Sequence, residues 1–213
     1  RYLLRMSGEI NIKSDRIRSV FHRQLIKNLS EAFRAADLEF SMVRGWTRFF
    51  VDVKDQQNDL AKDVLSRVFG LSSFSPVDFI CSTDLETLKT QILAYQDRVA
   101  NKTFAVRLRR VQVNVDNKGS VQLERELGSV LFPYASGVNL KAPDLQINIE
   151  VRPEGAYFFS DKLEGAGGFP IGVGGEALCL FSGGFDSTVA AWYAMRRGIE
   201  VHFVLIDMGS QAN

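Results

Sequence analysis

Cysteine is scarce in this chain, with Cys81 and Cys179 the only two in 213 residues. Both sit inside apolar, strand-like runs. They read as buried small hydrophobes in a reducing compartment, which excludes a disulfide framework. Histidine also occurs twice, as His22 and His202, too far apart for metal-ligand spacing. No apolar run approaches the length of a membrane span, and no secretory leader opens the chain. Net charge is only +1, whereas nucleic-acid binding usually shows a basic excess. The charge is unevenly spread: residues 1–59 hold 11 basic and 8 acidic side chains, 60–162 hold 13 and 12, and 163–213 hold 2 and 5. Such a chain can offer RNA a local patch but no general basic surface. Its length suits one or two ordinary globular domains.

What is present gathers around Leu178-Cys179-Leu180-Phe181-Ser182-Gly183-Gly184-Phe185-Asp186-Ser187-Thr188. The apolar run predicts a buried strand, and Val189 to Arg197 predicts a helix closed by Gly198. A second apolar run spans Val201 to Ile206. The pattern is a βαβ unit whose Gly-rich turn lies at the carboxyl end of the first strand, where open α/β sheets bind ligands. Adjacent glycines let the backbone approach an anion. The first N–H groups of the helix have no intrahelical partner and favour negative charge. Ser182, Ser187 and Thr188 add hydroxyl donors. The Lys of a Walker A loop is missing. In its place stands Asp186, whose carboxylate beside a phosphate calls for Mg²⁺. A plain strand–helix turn with Asp186 as its cap is the competing reading.

Upstream, Tyr2 to Met6 predicts a strand, and Ser14 or Asp15 can cap a helix with Ile17, Val20, Phe21, Leu25, Leu29 and Phe33 at helical spacing. Strands follow at Leu38 to Arg44 and Phe49 to Val53, joined through Gly45-Trp46. Leu60 to Val68 predicts a helix and Phe74 to Cys81 a fourth strand. This β-α-β-β-α-β order is the ferredoxin-like split βαβ unit, which hosts many functions. A second α+β module follows: a helix over Asp84 to Val99, a strand over Thr103 to Arg110, a helix over Val121 to Phe132, and a hairpin of Leu145 to Val151 with Ala156 to Phe159. Glu164 to Gly175 holds six glycines and reads as a flexible linker, although Phe169 and Ile171 are apolar anchors within it.

Ser182-Gly183-Gly184-Phe185-Asp186-Ser187 resembles the PP-loop, S-G-G-x-D-S, of the ATP pyrophosphatase superfamily. Further stretches carry a narrower resemblance: Gly8-Glu9-Ile10-Asn11-Ile12-Lys13-Ser14, Val43-Arg44-Gly45-Trp46, Lys102-Thr103-Phe104-Ala105-Val106-Arg107, Pro143-Asp144 and Glu164-Gly165-Ala166-Gly167-Gly168-Phe169-Pro170-Ile171-Gly172. Together they resemble the tRNA 4-thiouridine synthetase (ThiI) family of tRNA sulfurtransferases, in order along the whole chain. The resemblance implies α+β followed by α/β. A ferredoxin-like domain is expected over 1–76 and a THUMP RNA-binding domain over 77–162, its profile beginning as early as residue 60. A Gly-rich linker over 163–175 then leads to the start of a parallel-sheet PP-loop ATP pyrophosphatase domain over 176–213.

The resemblance also implies the chemistry. ATP with Mg²⁺ adenylates a tRNA uridine, at position 8, on its C4 oxygen, and a persulfide sulfur then replaces the adenylate to give 4-thiouridine. Sulfur for the thiazole of thiamine is a second implied product. A cysteine desulfurase would donate the sulfur, in the cytoplasm and away from membranes, and a homodimer is allowed. ATP would lie against Leu180, Phe181, Ser182, Gly183, Gly184, Phe185, Asp186, Ser187 and Thr188, with Asp207 and Met208 near the adenosine. Asp186 is the catalytic candidate, and no resident metal site is expected. Candidates for RNA are Lys13, Arg16, Arg18, Arg44, Arg48, Lys102, Arg107, Arg109, Arg110 and Lys141, whose phosphate contacts would position tRNA without reading its sequence.

Two departures stand out. Val111 to Gly119 replaces the family's basic, aromatic G-K-H-D-F segment, which weakens the expected RNA contact there. The family's sulfur-carrying cysteine lies further along than Asn213, and neither Cys81 nor Cys179 matches it. The chain is thus expected to be part of a longer enzyme, with an incomplete nucleotide site. Other readings are a non-catalytic RNA-binding module and a PP-loop ligase acting on a small metabolite.

Overall fold

A computed structural model of the protein describes residues 1–44 and 48–205, leaving aside the side chains of Asn11 and Arg44. Two compact units form, one from Arg1–Phe74 with the segment from Leu163 onward, the other from Ser75–Lys162.

The first unit opens with β1 (Tyr2–Met6) and a single helical turn, α1 (Gly8–Asn11). That turn buries Ile10 and leaves Ile12 82 % exposed. Helix α2 (Asp15–Ala35) follows Ser14 and buries Leu25, Leu29 and Phe33, spaced by four residues on one face. The stripe does not begin at Ile17 as expected, since Ile17 and Val20 are exposed. Next come β2 (Phe40–Arg44), β3 (Phe49–Val53), α3 (Asn58–Arg67) and β4 (Leu71–Pro76). The Gly45-Trp46 turn lies outside the described residues. Leu4, Leu25, Leu29, Phe33, Phe49, Val51, Leu65 and Phe74 share one core, each buried aliphatic side chain contributing about 1.5–3 kcal/mol. Strands β4, β1, β3 and β2 lie in that order, with β3 antiparallel to both β1 (Leu3 opposite Phe50) and β2 (Met42 opposite Val51). This is the expected ferredoxin-like sheet.

The single strand expected over Phe74 to Cys81 is two strands. Pro76, with no N–H for a ladder, ends β4, and β5 (Phe79–Cys81) pairs in the next sheet. The second unit continues with α4 (Leu85–Ile92), a 3₁₀ turn at Leu93–Tyr95 and α5 (Gln96–Val99), so one expected helix is interrupted. After β6 (Thr103–Arg110) and α6 (Ser120–Leu131) come β7 (Gly137–Val138), β8 (Leu145–Arg152) and β9 (Gly155–Phe159). The sheet order is β5-β9-β8-β6-β7. Strand β6 runs parallel to β8 and β7, whereas β9 is antiparallel to β8 and β5. Leu88, Ile92, Leu123, Leu127 and Leu131 of the helices pack on Phe104, Val106, Ile147, Ile149 and Phe158 of the sheet. On the other sheet face Glu150 and Arg152 are buried together, with Arg152 Nε donating to Glu150 Oε1 at 2.7 Å, the pairing that a buried charge requires.

The chain then returns to the first unit. Strand β10 (Leu163–Glu164) adds to the edge of its sheet, antiparallel to β4, with Leu163 opposite Phe74. Strand β11 (Glu176–Leu180), α7 (Phe185–Arg196) and β12 (Glu200–Val204) follow. Leu178 faces His202 in the parallel β11–β12 pair, so the expected βαβ crossover is present. Residues 163–175 are not a slack linker. Besides β10, Gly70 N–H donates to Gly167 O at 2.7 Å and Gly167 N–H to Leu71 O at 2.7 Å, and Phe169 meets Phe21 edge-on at 5.3 Å. Glycine density here serves close approach of backbones. No helix among the described residues is long and apolar enough to cross a membrane.

Candidate functional site

The loop between β11 and α7 gathers the expected hydroxyls and amides. Phe181 N–H still pairs with Val204 O at 2.9 Å, so the strand ladder holds up to the turn. Gly183 then takes φ +78°, a left-handed conformation that any other residue would adopt at a cost. Gly184 is the N-cap of α7 and has no side chain to satisfy the first amides. Its carbonyl accepts from Ser187 Oγ at 2.9 Å and Thr188 Oγ1 at 3.1 Å. Ser182 Oγ lies 3.3 Å from Ser187 Oγ and 3.4 Å from Gly184 N. The N–H groups of Phe185, Asp186 and Ser187 begin the helix without intrahelical partners. Such amides at the positive end of a helix suit an anion, and the space beside Gly183 is open.

Asp186 is exposed in the first turn of α7. No group of three or more His, Cys, Asp or Glu among the described residues could hold a metal by itself. One carboxylate suits a Mg²⁺ ion that arrives with phosphates, since that ion keeps its waters and needs only one or two protein carboxylates. Leu180 is 70 % and Phe185 92 % exposed. Phe181 meets Phe203 edge-on at 5.4 Å and lines a cavity of about 430 Å³ with Thr188, Ala191, Trp192, Met195 and Phe203. Asp207 and Met208 lie outside the described residues.

The basic candidates separate into groups. In the first unit, Lys13 and Arg16 are exposed. Lys13 Nζ lies over the Phe169 ring, 5.8 Å from its centroid, and Arg18 pairs with Asp15. Arg48 is only 8 % exposed, which leaves little of it for a phosphate, and the Arg44 side chain is outside the described set. In the second unit, Lys102, Arg109 and Lys141 are exposed. Arg107 donates to Leu140 O and so holds the loop that carries Lys141. Arg110 is turned to structural use, donating to Lys118 O at 2.7 Å and Ser120 Oγ at 3.3 Å. Strand alternation separates it from Arg107 and Arg109, which share a face. Asp144 accepts from Thr103 N at 2.8 Å and Thr103 Oγ1 at 2.7 Å. These two bonds pull its carboxyl below the usual carboxylate range.

Both cysteines are half-buried rather than buried. Burial, with Asp84 nearby, pushes the Cys81 thiol up, which keeps it a poor nucleophile. One cluster escaped the sequence reading. Tyr95 Oη donates to Asp78 Oδ2 at 2.6 Å and Ser160 Oγ to the same oxygen at 3.2 Å, while Arg98 lies 3.3 Å from Asp78 Oδ1. Burial and this hydrogen bond push the Tyr95 hydroxyl pKa well up. Nothing local in the sequence joins positions 78, 95, 98 and 160.

Three family models match successive stretches: ThiI ferredoxin-like domain over residues 1–75, THUMP domain over 82–161, and Thiamine biosynthesis protein (ThiI) over 172–213. Curated relatives include a "Probable tRNA sulfurtransferase" of Sulfurisphaera tokodaii, 37 % identical over 99 % of this chain and 55 % of the relative. A tRNA sulfurtransferase of Desulfurococcus amylolyticus is 37 % identical over 98 % of this chain and 42 % of the relative. The chain thus spans about half the length of the curated relatives it matches. Among solved structures, PH1313 from Pyrococcus horikoshii matches with TM-score 0.84 and 28 % identity, over 99 % of this chain and 69 % of that one. A 4-thiouridine synthetase solved as an RNA complex with bound ATP matches with TM-score 0.74 and 32 % identity, over 96 % of this chain and 52 % of that one.

Proposed function

The chain belongs to the ThiI family of tRNA sulfurtransferases, and we propose that the protein carrying it uses ATP to activate a tRNA uridine and replace the uridine C4 oxygen with sulfur. The observation that carries this reading is the open amide seat of Gly183 to Ser187, in a chain that also holds a THUMP module. A uracil carbonyl oxygen is a poor leaving group. Attack of that oxygen, at position 8 of the tRNA, on the α-phosphorus of ATP expels pyrophosphate, and AMP then leaves in its stead when sulfur adds at C4. The seat's N–H groups and the Ser182 hydroxyl hold the departing pyrophosphate, where preorganised donors act on developing charge, and the Ser187 and Thr188 hydroxyls join them by turning from the Gly184 carbonyl. Asp186 would hold a Mg²⁺ ion arriving with the nucleotide, which would offset phosphate charge.

Lys102, Arg107, Arg109 and Lys141 are the second unit's proposed phosphate contacts, with Lys13 and Arg16 those of the first. Arg18, Arg48 and Arg110 have their charge or exposure taken up elsewhere. Family resemblance supports a cysteine desulfurase as sulfur donor, the cytoplasm as compartment, a homodimer as assembly and thiamine thiazole as a second destination of the sulfur. Neither Cys81 nor Cys179 is assigned the sulfur.

Asp186→Ala in the full-length protein tests the loop. The expected result is loss of 4-thiouridine formation by at least about a hundredfold, with tRNA affinity within about twofold of wild type, because its phosphate contacts lie elsewhere. Retained thiolation would remove Asp186 from the reaction.

A further inference from the structure

Residues 165–174 connect two backbones. On one side Gly165 N–H donates to Ser72 O at 3.0 Å, Gly167 N–H to Leu71 O at 2.7 Å, and Gly70 N–H to Gly167 O at 2.7 Å. On the other side Phe169 N–H donates to Arg196 O at 2.9 Å, and Gly172 and Gly174 N–H to Gly198 O at 2.8 and 2.9 Å. The Arg196 acceptor is the last carbonyl of α7, one of those a helix leaves unsatisfied, and the Gly198 acceptor lies two residues past the helix end. The segment is therefore a strap between β4 of the ferredoxin-like sheet and the carboxyl end of the helix whose amino end is the phosphate seat.

Side chains add little to the hold on that helix. Ala191 is the one fully buried residue of α7. Trp192 meets Phe69 edge-on at 5.9 Å, and the Arg196 guanidinium lies 5.1 Å above the Trp192 ring. Gly168 is the tightest point. It sits at φ +68°, and a Cβ there would stand 2.2 Å from Arg196 O and 2.6 Å from Arg196 Cγ. The carbonyl is backbone, so relief requires the helix end to move by about 1 Å.

We propose that this strap, with Gly168 at its centre, is the positioning element for the phosphate loop: it sets the axial place of α7 and hence of the amides of Phe185, Asp186 and Ser187. Twelve residues at about 1.5 Å each put Gly168 a helix length of about 18 Å from the seat. It touches no nucleotide and acts only through α7. A helix moves as a rod, and a misplacement of about 1 Å is enough to cost about a hundredfold in rate. The proposal rests on the assigned role of the loop for its kinetic consequence but not for its structural one.

The test uses full-length protein with Gly168→Ala, with Gly119→Ala as a control at a position where a Cβ meets nothing within 4 Å, and with Leu29→Ala as a core variant of the same unit. Amide exchange is followed at the hydrogen-bonded amides flanking the seat, Phe181 and residues 188–191, and over β1–β3, together with kcat/KM for ATP, KM for tRNA and Tm. For Gly168→Ala, exchange at Phe181 and residues 188–191 should rise about tenfold with β1–β3 unchanged. Its kcat/KM for ATP should fall about thirtyfold with KM for tRNA within about twofold. Leu29→Ala should lower Tm at least as far and leave kcat/KM for ATP within about threefold. Phe169→Leu removes ring contacts without a backbone clash and should move the same readouts in the same direction, to a smaller degree. It decides the matter if Gly168→Ala does not fold. Unchanged exchange at Phe181 and residues 188–191, or an equal kinetic loss in Leu29→Ala, would overturn the proposal. A wild-type enzyme that adenylates no tRNA would instead refute the assigned reaction, and the exchange result would still judge the strap.

Discussion

Helices α6 and α7 are each twelve residues long, yet they are anchored in opposite ways. Helix α6 presents Leu123, Leu127 and Leu131 to its sheet, all fully buried, and its position follows from its apolar face. Helix α7 carries Phe185, Val189, Trp192 and Tyr193, all of them exposed to some degree, and buries only Ala191. Its position follows from its ends: strap carbonyl contacts at one, the strand ladder through Phe181 at the other. Helix α6 is thus fixed along its whole length by its apolar face. One anchored by its ends leaves its first turn free to receive a ligand.

The largest expected effect sets the two faces against each other. Leu127→Ala should cost the second unit about 2–5 kcal/mol, the usual loss for a core leucine. Val189→Ala, at a half-exposed position of α7, should change stability by less than about 0.5 kcal/mol. Urea midpoints read with amide exchange of β8 and of β11 separate the two. Similar losses at both positions would mean that α7 is held by its face after all.

That contrast also marks how far residue patterns reach. The α6 stripe is visible because burial repeats with the helical period, and Leu123, Leu127 and Leu131 satisfy it. The ferredoxin-like order and the loop's own residues are visible for the same reason, since apolar spacing and Ser-Gly-Gly are local signals. The strap is not visible. Glycine density reads equally as slack chain or as close backbone contact, and only the position of the Arg196 carbonyl decides between them. The Asp78–Tyr95–Arg98–Ser160 cluster and the burial of Arg48 are likewise set by partners distant in sequence, whereas the break of the fourth strand at Pro76 has a local signal in the proline itself. Of the basic candidates, charge alone does not distinguish Arg110, which fastens its own loop, from Arg109, which remains exposed.

A middle-sized effect contrasts glycines on the two helices. Gly198 closes α7 at φ +85°, where a Cβ would lie 2.7 Å from Val173 Cγ2 and 3.0 Å from Pro170 O. Gly198→Ala should therefore cost about 1–3 kcal/mol through strained backbone and contact. Gly128, inside α6, has nothing within 4 Å of its would-be Cβ. Gly128→Ala should stabilise by about 0.5–1 kcal/mol, the usual gain of alanine over glycine within a helix. Thermal midpoints of the two variants should move in opposite directions, and a shift of the same sign would remove the special status of the α7 end.

The smallest effect concerns helix beginnings. Helix α4 starts with a carboxylate cap, Asp84 Oδ1 accepting from Thr87 N–H at 2.8 Å. Its bonds to the Ser82 hydroxyl and to Thr87 hold the Asp84 carboxyl down at about 2. A carboxyl depressed in the folded state stabilises above its ordinary value near 3.8 and loses that contribution as pH falls through the folded value. Stability of the second unit should therefore decline between about pH 4 and pH 2, in part through this group. Glu126 and Asp144, also lowered, add to the same decline, so the test is the difference between wild type and Asp84→Ala across that window. The variant should be the less stable above pH 4 and converge on wild type near pH 2. Helix α7 has no such cap: Gly184 offers no side chain, and its first turn stays open. If Asp84→Ala left the acid profile unchanged, water would satisfy the first turn of α4 as well as the carboxylate does, and the missing cap of α7 would no longer distinguish the two helix beginnings.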